Sequence, residues 1–339
     1  MTRKIRWGTK LILLFVLLSL PVLYLYQSLQ QFALSPIAIE ENSVMLTVEK
    51  GDGLNKVLPK LRALGVVAGH DWQWKVLAVK MDMASKIHVG DYEINNNISP
   101  TQLLEKFAIG DTARVKFTVI EGWNFKQLMT QLQLQTELKD DLSGKSSDEI
   151  MTMLGKPGVH PEGRFLPDTY IIPRSGQQSQ ILQLAANAMD RALADTWESR
   201  EANLPLQSAE QLLILASIVE KETGQAFERP QIAGVFVRRM QKGMRLQTDP
   251  TIIYGMGESY QGNIRKKDLR TDTAYNTYTR SGLPPTPIAM PGQAALTASA
   301  HPAKGDDLYF VAKGNGEHYF SPSYKEHQKA VNQYQLNKK

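Results

Sequence analysis

At 339 residues the chain can bury a sizeable core and divide into two domains. Its net charge of +5 is spread along the sequence instead of sitting in one arginine-rich block, so an anionic polymer or anionic lipid surface fits as well as nucleic acid, which is not favoured as a partner. There is no cysteine, which excludes disulfides, thiolate metal sites, a cysteine nucleophile and anchoring through a lipidated cysteine.

Residues 1–10 carry Arg3, Lys4, Arg6 and Lys10 and no acid, and Leu11 to Tyr26 is apolar apart from Ser19, with Pro21 as its one kink point. Positive charge ahead of an apolar run predicts a cytoplasmic tail over 1–10, a membrane-spanning signal anchor over 11–27 and an exported body. Residues 28–44 read as a linker, whose extended reach is at most about 60 Å. A small α+β module is predicted over 45–120. It opens with a strand at 44–48, a turn through Gly51-Asp52-Gly53 and a helix over 54–64 with Leu54, Val57, Leu58 and Leu61 on one side. A second helix over 72–79, a strand near 88–94 and a helix opened by Ser99-Pro100 complete it. Val48-Glu49-Lys50-Gly51-Asp52-Gly53-Leu54 resembles the opening of a LysM module, a small fold that binds N-acetylglucosamine polymers. A strand over 114–120 and a helix over 124–132 loosely echo the module's start. Residues 135–165 are polar and turn-rich; Ser143-Gly144-Lys145-Ser146-Ser147 lacks the second glycine of a P-loop, so phosphate binding is excluded.

A long amphipathic helix is predicted over 178–202. Ser208 and Gln211 then form a capping-box pattern ahead of a helix that stops at Gly224. Leu212 to Val219 is apolar or small except for Ser217, so this helix is buried on all sides. It ends in Glu220-Lys221-Glu222. A carboxyl at a buried helix end can stay protonated near neutral pH, the state a glycosidic general acid needs. The helical wheel does not choose between Glu220 and Glu222, and solvated terminal acids would give the same pattern.

Downstream, 245–255, 274–278 and 281–292 are rich in amides, hydroxyls, tyrosines and prolines. Tyrosine rings stack on sugars, and amides bond hydroxyls and N-acetyl groups. Gln247, Thr248, Asp249, Tyr254, Asn276 and Tyr278 are the candidate substrate contacts. The six histidines lack ligand spacing, so no metal and no organic cofactor is expected.

Glu-Gly-Arg-Phe-Leu-Pro-Asp-Thr-Tyr at 162–170, Ala-Ser-Ile-Val-Glu-Lys-Glu-Thr at 216–223, Leu-Gln-Thr-Asp-Pro-Thr at 246–251, Tyr-Asn-Thr-Tyr at 275–278 and Gly-Leu-Pro-Pro-Thr-Pro-Ile at 282–288 follow in that order. Together with the anchor and the LysM-like opening, they resemble the endolytic murein transglycosylase, or YceG-like, family over nearly the whole chain. Thr286 and Met290 depart from its pattern. The resemblance implies an α+β architecture with an N-terminal transmembrane helix, a small LysM-like module over 45–120 and a larger catalytic domain over 121–339. It implies a lyase that cleaves the β-1,4 bond after N-acetylmuramic acid in nascent strands, leaves 1,6-anhydro ends and ends strand elongation. It assigns the catalytic carboxyl to Glu220. It also places the enzyme in the inner membrane by a single pass, with the catalytic part periplasmic and peptidoglycan synthases nearby. Asp249, and to a lesser degree Glu162, leave room for a two-carboxylate muramidase that uses water. A tethered glycan-binding scaffold without catalysis is the remaining alternative.

Overall fold

A computed structural model of the chain describes residues 7–66 and 68–336. The fold is mixed α+β, and the described residues form three two-stranded sheets. The chain divides into two compact units. One runs to Val115 and includes Pro173–Gly176; the other comprises Lys116–Ile172 and the chain from Gln177 onward.

The first unit begins with α1 (Trp7–Leu34). There follow β1 (Ser43–Val48), α2 (Leu54–Ala63), α3 (Asp71–Lys80), β2 (Gly90–Asn95) and α4 (Pro100–Ile109). β1 and β2 pair antiparallel, with Leu46 opposite Tyr92 and Val44 opposite Ile94. Alternation buries Leu46, Val48, Tyr92 and Ile94, and the helices cover that face. The predicted stripe of α2 is the buried one. Ser99 caps α4 by accepting Gln102 N–H at 3.3 Å, while Gln102 Oε1 takes Ser99 N–H at 2.9 Å.

The stretch predicted as a linker folds differently. α1 continues to Leu34, because Leu29, Phe32 and Ala33 share one helix face and bury it in the first unit's core. Phe32 meets Trp74 edge to face at 5.2 Å, and Ile37 N–H donates to Ile98 O at 2.8 Å. Among the described residues no helix is long and apolar enough to cross a membrane. The first six residues of the predicted tail, with Arg3, Lys4 and Arg6, lie outside the described residues.

β3 (Arg114–Thr118) and β4 (Thr169–Pro173) pair with each other. The second unit contains α5 (Phe125–Gln133), α6 (Ser147–Met153), α7 (Gln178–Glu198), α8 (Ala209–Glu222), α9 (Arg229–Gln241), α10 (Asp249–Met256), α11 (Lys266–Arg270) and α12 (Gln293–Ala300). A hairpin, β5 (Tyr309–Ala312) and β6 (His318–Ser321), and α13 (Tyr324–Val331) close it. α8 is the central element and is buried from Leu212 through Glu220, with α7, α9 and α12 packed on it. Ser208 caps α8 as predicted, but Gln211 returns its side chain to Gln207 N–H instead of Ser208, so only half of the capping box forms. Gly234 lets α9 approach the Ala303 carbonyl so closely that a Cβ there would collide with it.

Candidate active site

Three consecutive residues at the end of α8 point in three directions, as the roughly 100° step of a helix requires. Glu220 faces inward and is 9% exposed. Its Oε2 accepts the Gly292 N–H at 2.9 Å, and its Oε1 accepts Arg229 Nη2 at 3.2 Å. Gly292 is the residue before α12, so the carboxyl also meets the positive end of that helix. Burial pushes the Glu220 carboxyl above its ordinary value, and the nearby charge of Glu121 adds to this; the Gly292 N–H and Arg229 oppose it. The loop carrying Gly292 is fastened to α8 by Ser217, whose hydroxyl donates to Ile214 O at 2.7 Å and accepts Ile288 N–H at 3.0 Å. Gly122 N–H donates to Met290 O and Met290 N–H to Trp123 O, which brings the Glu121 turn to the same place.

Lys221 reaches the Gly122 carbonyl at 3.2 Å and lines a cavity of about 520 Å³ with Asn124, Gln127, Glu162, Tyr254 and Ile288. Glu162 is 3% exposed. Phe125 N–H donates to its carboxylate at 3.0 Å and the Tyr254 hydroxyl at 3.1 Å. Burial nevertheless pushes this carboxyl up to about 7. Tyr254, a predicted substrate contact, therefore sits at a cavity wall with its hydroxyl committed to Glu162. The folded protein holds the Glu162 proton to about pH 7, whereas an ordinary carboxyl releases it near 4.5. Folding thus favours the neutral form, and this group's stability contribution is lost as pH rises across that window, by roughly 3 kcal/mol. Glu162→Gln should flatten that part of the profile. Chemical denaturation of parent and variant at pH 5 and pH 8 checks it, and parallel profiles would refute it.

Glu222 takes a hydrogen bond from the Thr248 hydroxyl, and burial pushes its carboxyl up to about 7. It lines a second cavity, of about 400 Å³, with Gln247, Asp249, Tyr278 and Arg239. Gln247 is exposed and adopts φ of +50°, an uncommon backbone state for a side-chain-bearing residue. The Tyr278 hydroxyl donates to Asp249 Oδ1 at 2.6 Å. Of the predicted contacts, Gln247, Asp249 and Tyr278 share this cavity. Thr248 and Asn276 are buried with their side-chain groups taken up inside the protein.

A protein-family model described as the YceG-like family matches residues 46–333. The chain belongs to the YceG-like family. It is 33% identical over 273 residues to the endolytic murein transglycosylase of Bacillus subtilis (strain 168), covering 76% of this chain and 75% of that protein. The protein of the same name from Streptococcus pneumoniae serotype 2 (strain D39) is 28% identical, covering 88% of this chain but only 60% of its own length. The crystal structure of a putative YceG-like protein from Listeria monocytogenes superposes with a TM-score of 0.55 at 28% identity, over 86% of this chain and 99% of that one.

Within this YceG-like chain, the residues that surround Glu220 were not predicted from the sequence. Arg229 comes nine residues after Glu220, past the helix stop, and Glu121 reads as an ordinary turn residue. Gly292 belongs to a Met-Pro-Gly run that carries no chemistry of its own. The available signal was the burial of Glu220 itself, since a buried carboxyl requires partners.

Proposed function

We propose that this chain is an endolytic peptidoglycan lytic transglycosylase with Glu220 as its acid and then its base. The observation that carries the reading is the buried Glu220 carboxyl, raised by desolvation, at the end of α8. It occurs in a family whose relatives from Bacillus and Streptococcus bear that activity in their names. Protonated Glu220 donates to the glycosidic oxygen as the bond from C1 of N-acetylmuramic acid breaks. The carboxylate left behind takes the proton from the C6 hydroxyl of the same residue, and that oxygen bonds to C1. Water is not consumed, the proton returns to Glu220, and the product is a 1,6-anhydro end. A water-using pair would need a second carboxylate across the scissile bond. Asp249 is instead engaged with Tyr278 in the Glu222 cavity, outside the Glu220 hydrogen bonds. Product analysis decides: anhydro ends support the reading, and reducing ends that incorporate labelled water sink it. Strands bound but left intact would favour a non-catalytic scaffold.

The membrane anchor over 11–27 belongs to the same proposal. Its support is the exposure of Ile12, Leu14–Leu18, Leu20 and Val22–Tyr26 on α1, an apolar surface that water does not favour. Lys80 lies 5.9 Å from the ring of Tyr26, where a cation and an aromatic suit a lipid–water boundary. Since α1 runs into the first unit's core without a linker, that unit would be held close to the lipid surface. The catalytic unit would then work in the periplasm, near the synthases that make new strands. The full chain should sediment with membranes and resist alkaline carbonate washing; release by carbonate would count against the anchor. The glycan-binding, LysM-like reading of the first unit rests on its opening motif and on its strand–helix–helix–strand order.

A further inference from the structure

Glu220 poses a problem as a general acid. It must hold a proton near neutral pH, yet a backbone N–H and a guanidinium both favour its ionised form. An arginine that served Glu220 alone would hold the carboxyl charged and spoil it as a donor.

Arg229 does not serve Glu220 alone. The same Nη2 that reaches Glu220 Oε1 at 3.2 Å lies 3.4 Å from Glu121 Oε2. One cation therefore faces two carboxyl groups. If both are ionised, the trio carries a net negative charge beside the core. If Glu121 alone is ionised, the trio is neutral and Glu220 keeps its proton. The proton favours Glu220 because its side chain is 4% exposed and that of Glu121 is 47% exposed, so water stabilises the charge on Glu121. The packing holds this arrangement in place. The Glu121 carboxyl occupies the space in which a Cβ on residue 292 would stand, so a side chain there would push that carboxyl aside, whereas Gly292 lets it lie beside the donor to Glu220.

We propose that Glu121 is a positioning residue that keeps Glu220 available as proton donor by sharing the Arg229 guanidinium with it. This rests on the reading of Glu220 as the acid. The charged and polar groups facing Glu220 are Arg229 from α9, Glu121 from the turn after β3, and the Gly292 N–H at the start of α12. Its neighbours on α8 are turned elsewhere, Lys221 to Gly122 O and Glu222 to Thr248.

The test is the pH dependence of kcat/KM on isolated glycan strands, using the full chain in detergent with Glu121→Gln, Glu121→Asp and Glu220→Gln. With Glu121 neutralised, Arg229 pairs wholly with Glu220, whose proton is lost at lower pH. The alkaline limb of Glu121→Gln should move down by roughly one pH unit, which is about a tenfold loss on that limb, with the acid-side plateau retained. Glu121→Asp keeps the charge and should keep the limb near that of the parent. An unmoved limb in Glu121→Gln, or an equal loss at every pH, overturns the proposal, the second result marking a structural role. Turnover by Glu220→Gln would sink the acid assignment and this proposal with it. An inactive Glu220→Gln together with an unmoved limb in Glu121→Gln would sink this proposal alone.

Discussion

Glu220→Gln should abolish formation of 1,6-anhydro ends, with turnover falling by about 10²–10⁴-fold or more, because one group supplies both proton transfers. The substitution keeps the shape of the side chain and a carbonyl oxygen to accept the Gly292 N–H. It places an amide before Arg229, which can turn fully to Glu121. The variant should therefore fold and bind glycan strands while failing to cut them. Single-turnover product analysis beside a melting curve separates the outcomes. A folded variant that still makes anhydro ends removes Glu220 from its role. In the parent, activity should decline as pH rises through the raised pKa of Glu220, since the donor form is lost. The direction matters: an ordinary carboxyl would already be spent well below neutral pH.

Helices with a clean apolar stripe could be read from the sequence, and those whose charges are buried could not. α2, α4 and α8 follow their 3.6-residue pattern, and Ser99 and Ser208 cap the last two. α9 does not stand out because Arg238 and Arg239 look like surface charge. In the fold Arg239 is buried, and its guanidinium donates to the carbonyls of Leu308 and Leu246. α6 lies within a polar stretch and is fixed by reciprocal bonds between Ser146 and Glu149, a local signal that the lack of apolar period hid. Residues 28–34 read as linker because Leu29, Phe32 and Ala33 stand among Ser28, Gln30 and Gln31, and only the helix face they share shows them to be core. In the site, the buried position of Glu220 follows from its own helix. Its partners come from segments that only tertiary packing brings together, and the side-chain chemistry of Glu121 and Arg229 gives no hint of the pairing.

Asn276 gives the second large effect, on stability. The sequence reading placed it against substrate as an amide in a tyrosine-rich loop. Its Nδ2 instead donates to Thr271 O at 2.7 Å and lies 3.2 Å from the carbonyls of Asp268 and Leu269. Its Oδ1 accepts the Tyr278 N–H at 2.9 Å, and the residue is 1% exposed. Two amide hydrogens serve three carbonyls, so no polar atom is left over for a sugar. Asn276→Ala strands these groups away from water and should cost about 3 kcal/mol, lowering the melting temperature by roughly 5–10 °C. Asn276→Asp should be worse, because it sets an anionic oxygen against those carbonyls where a donor stood. A substrate contact would behave otherwise, with KM raised and the melting temperature unchanged. Thermal melts of the two variants, ranked against the parent, tell these apart. The effect should still reach the second cavity. Tyr278 is held by Asn276 through its backbone N–H and holds Asp249 through its hydroxyl, so loosening one end of that chain releases the other.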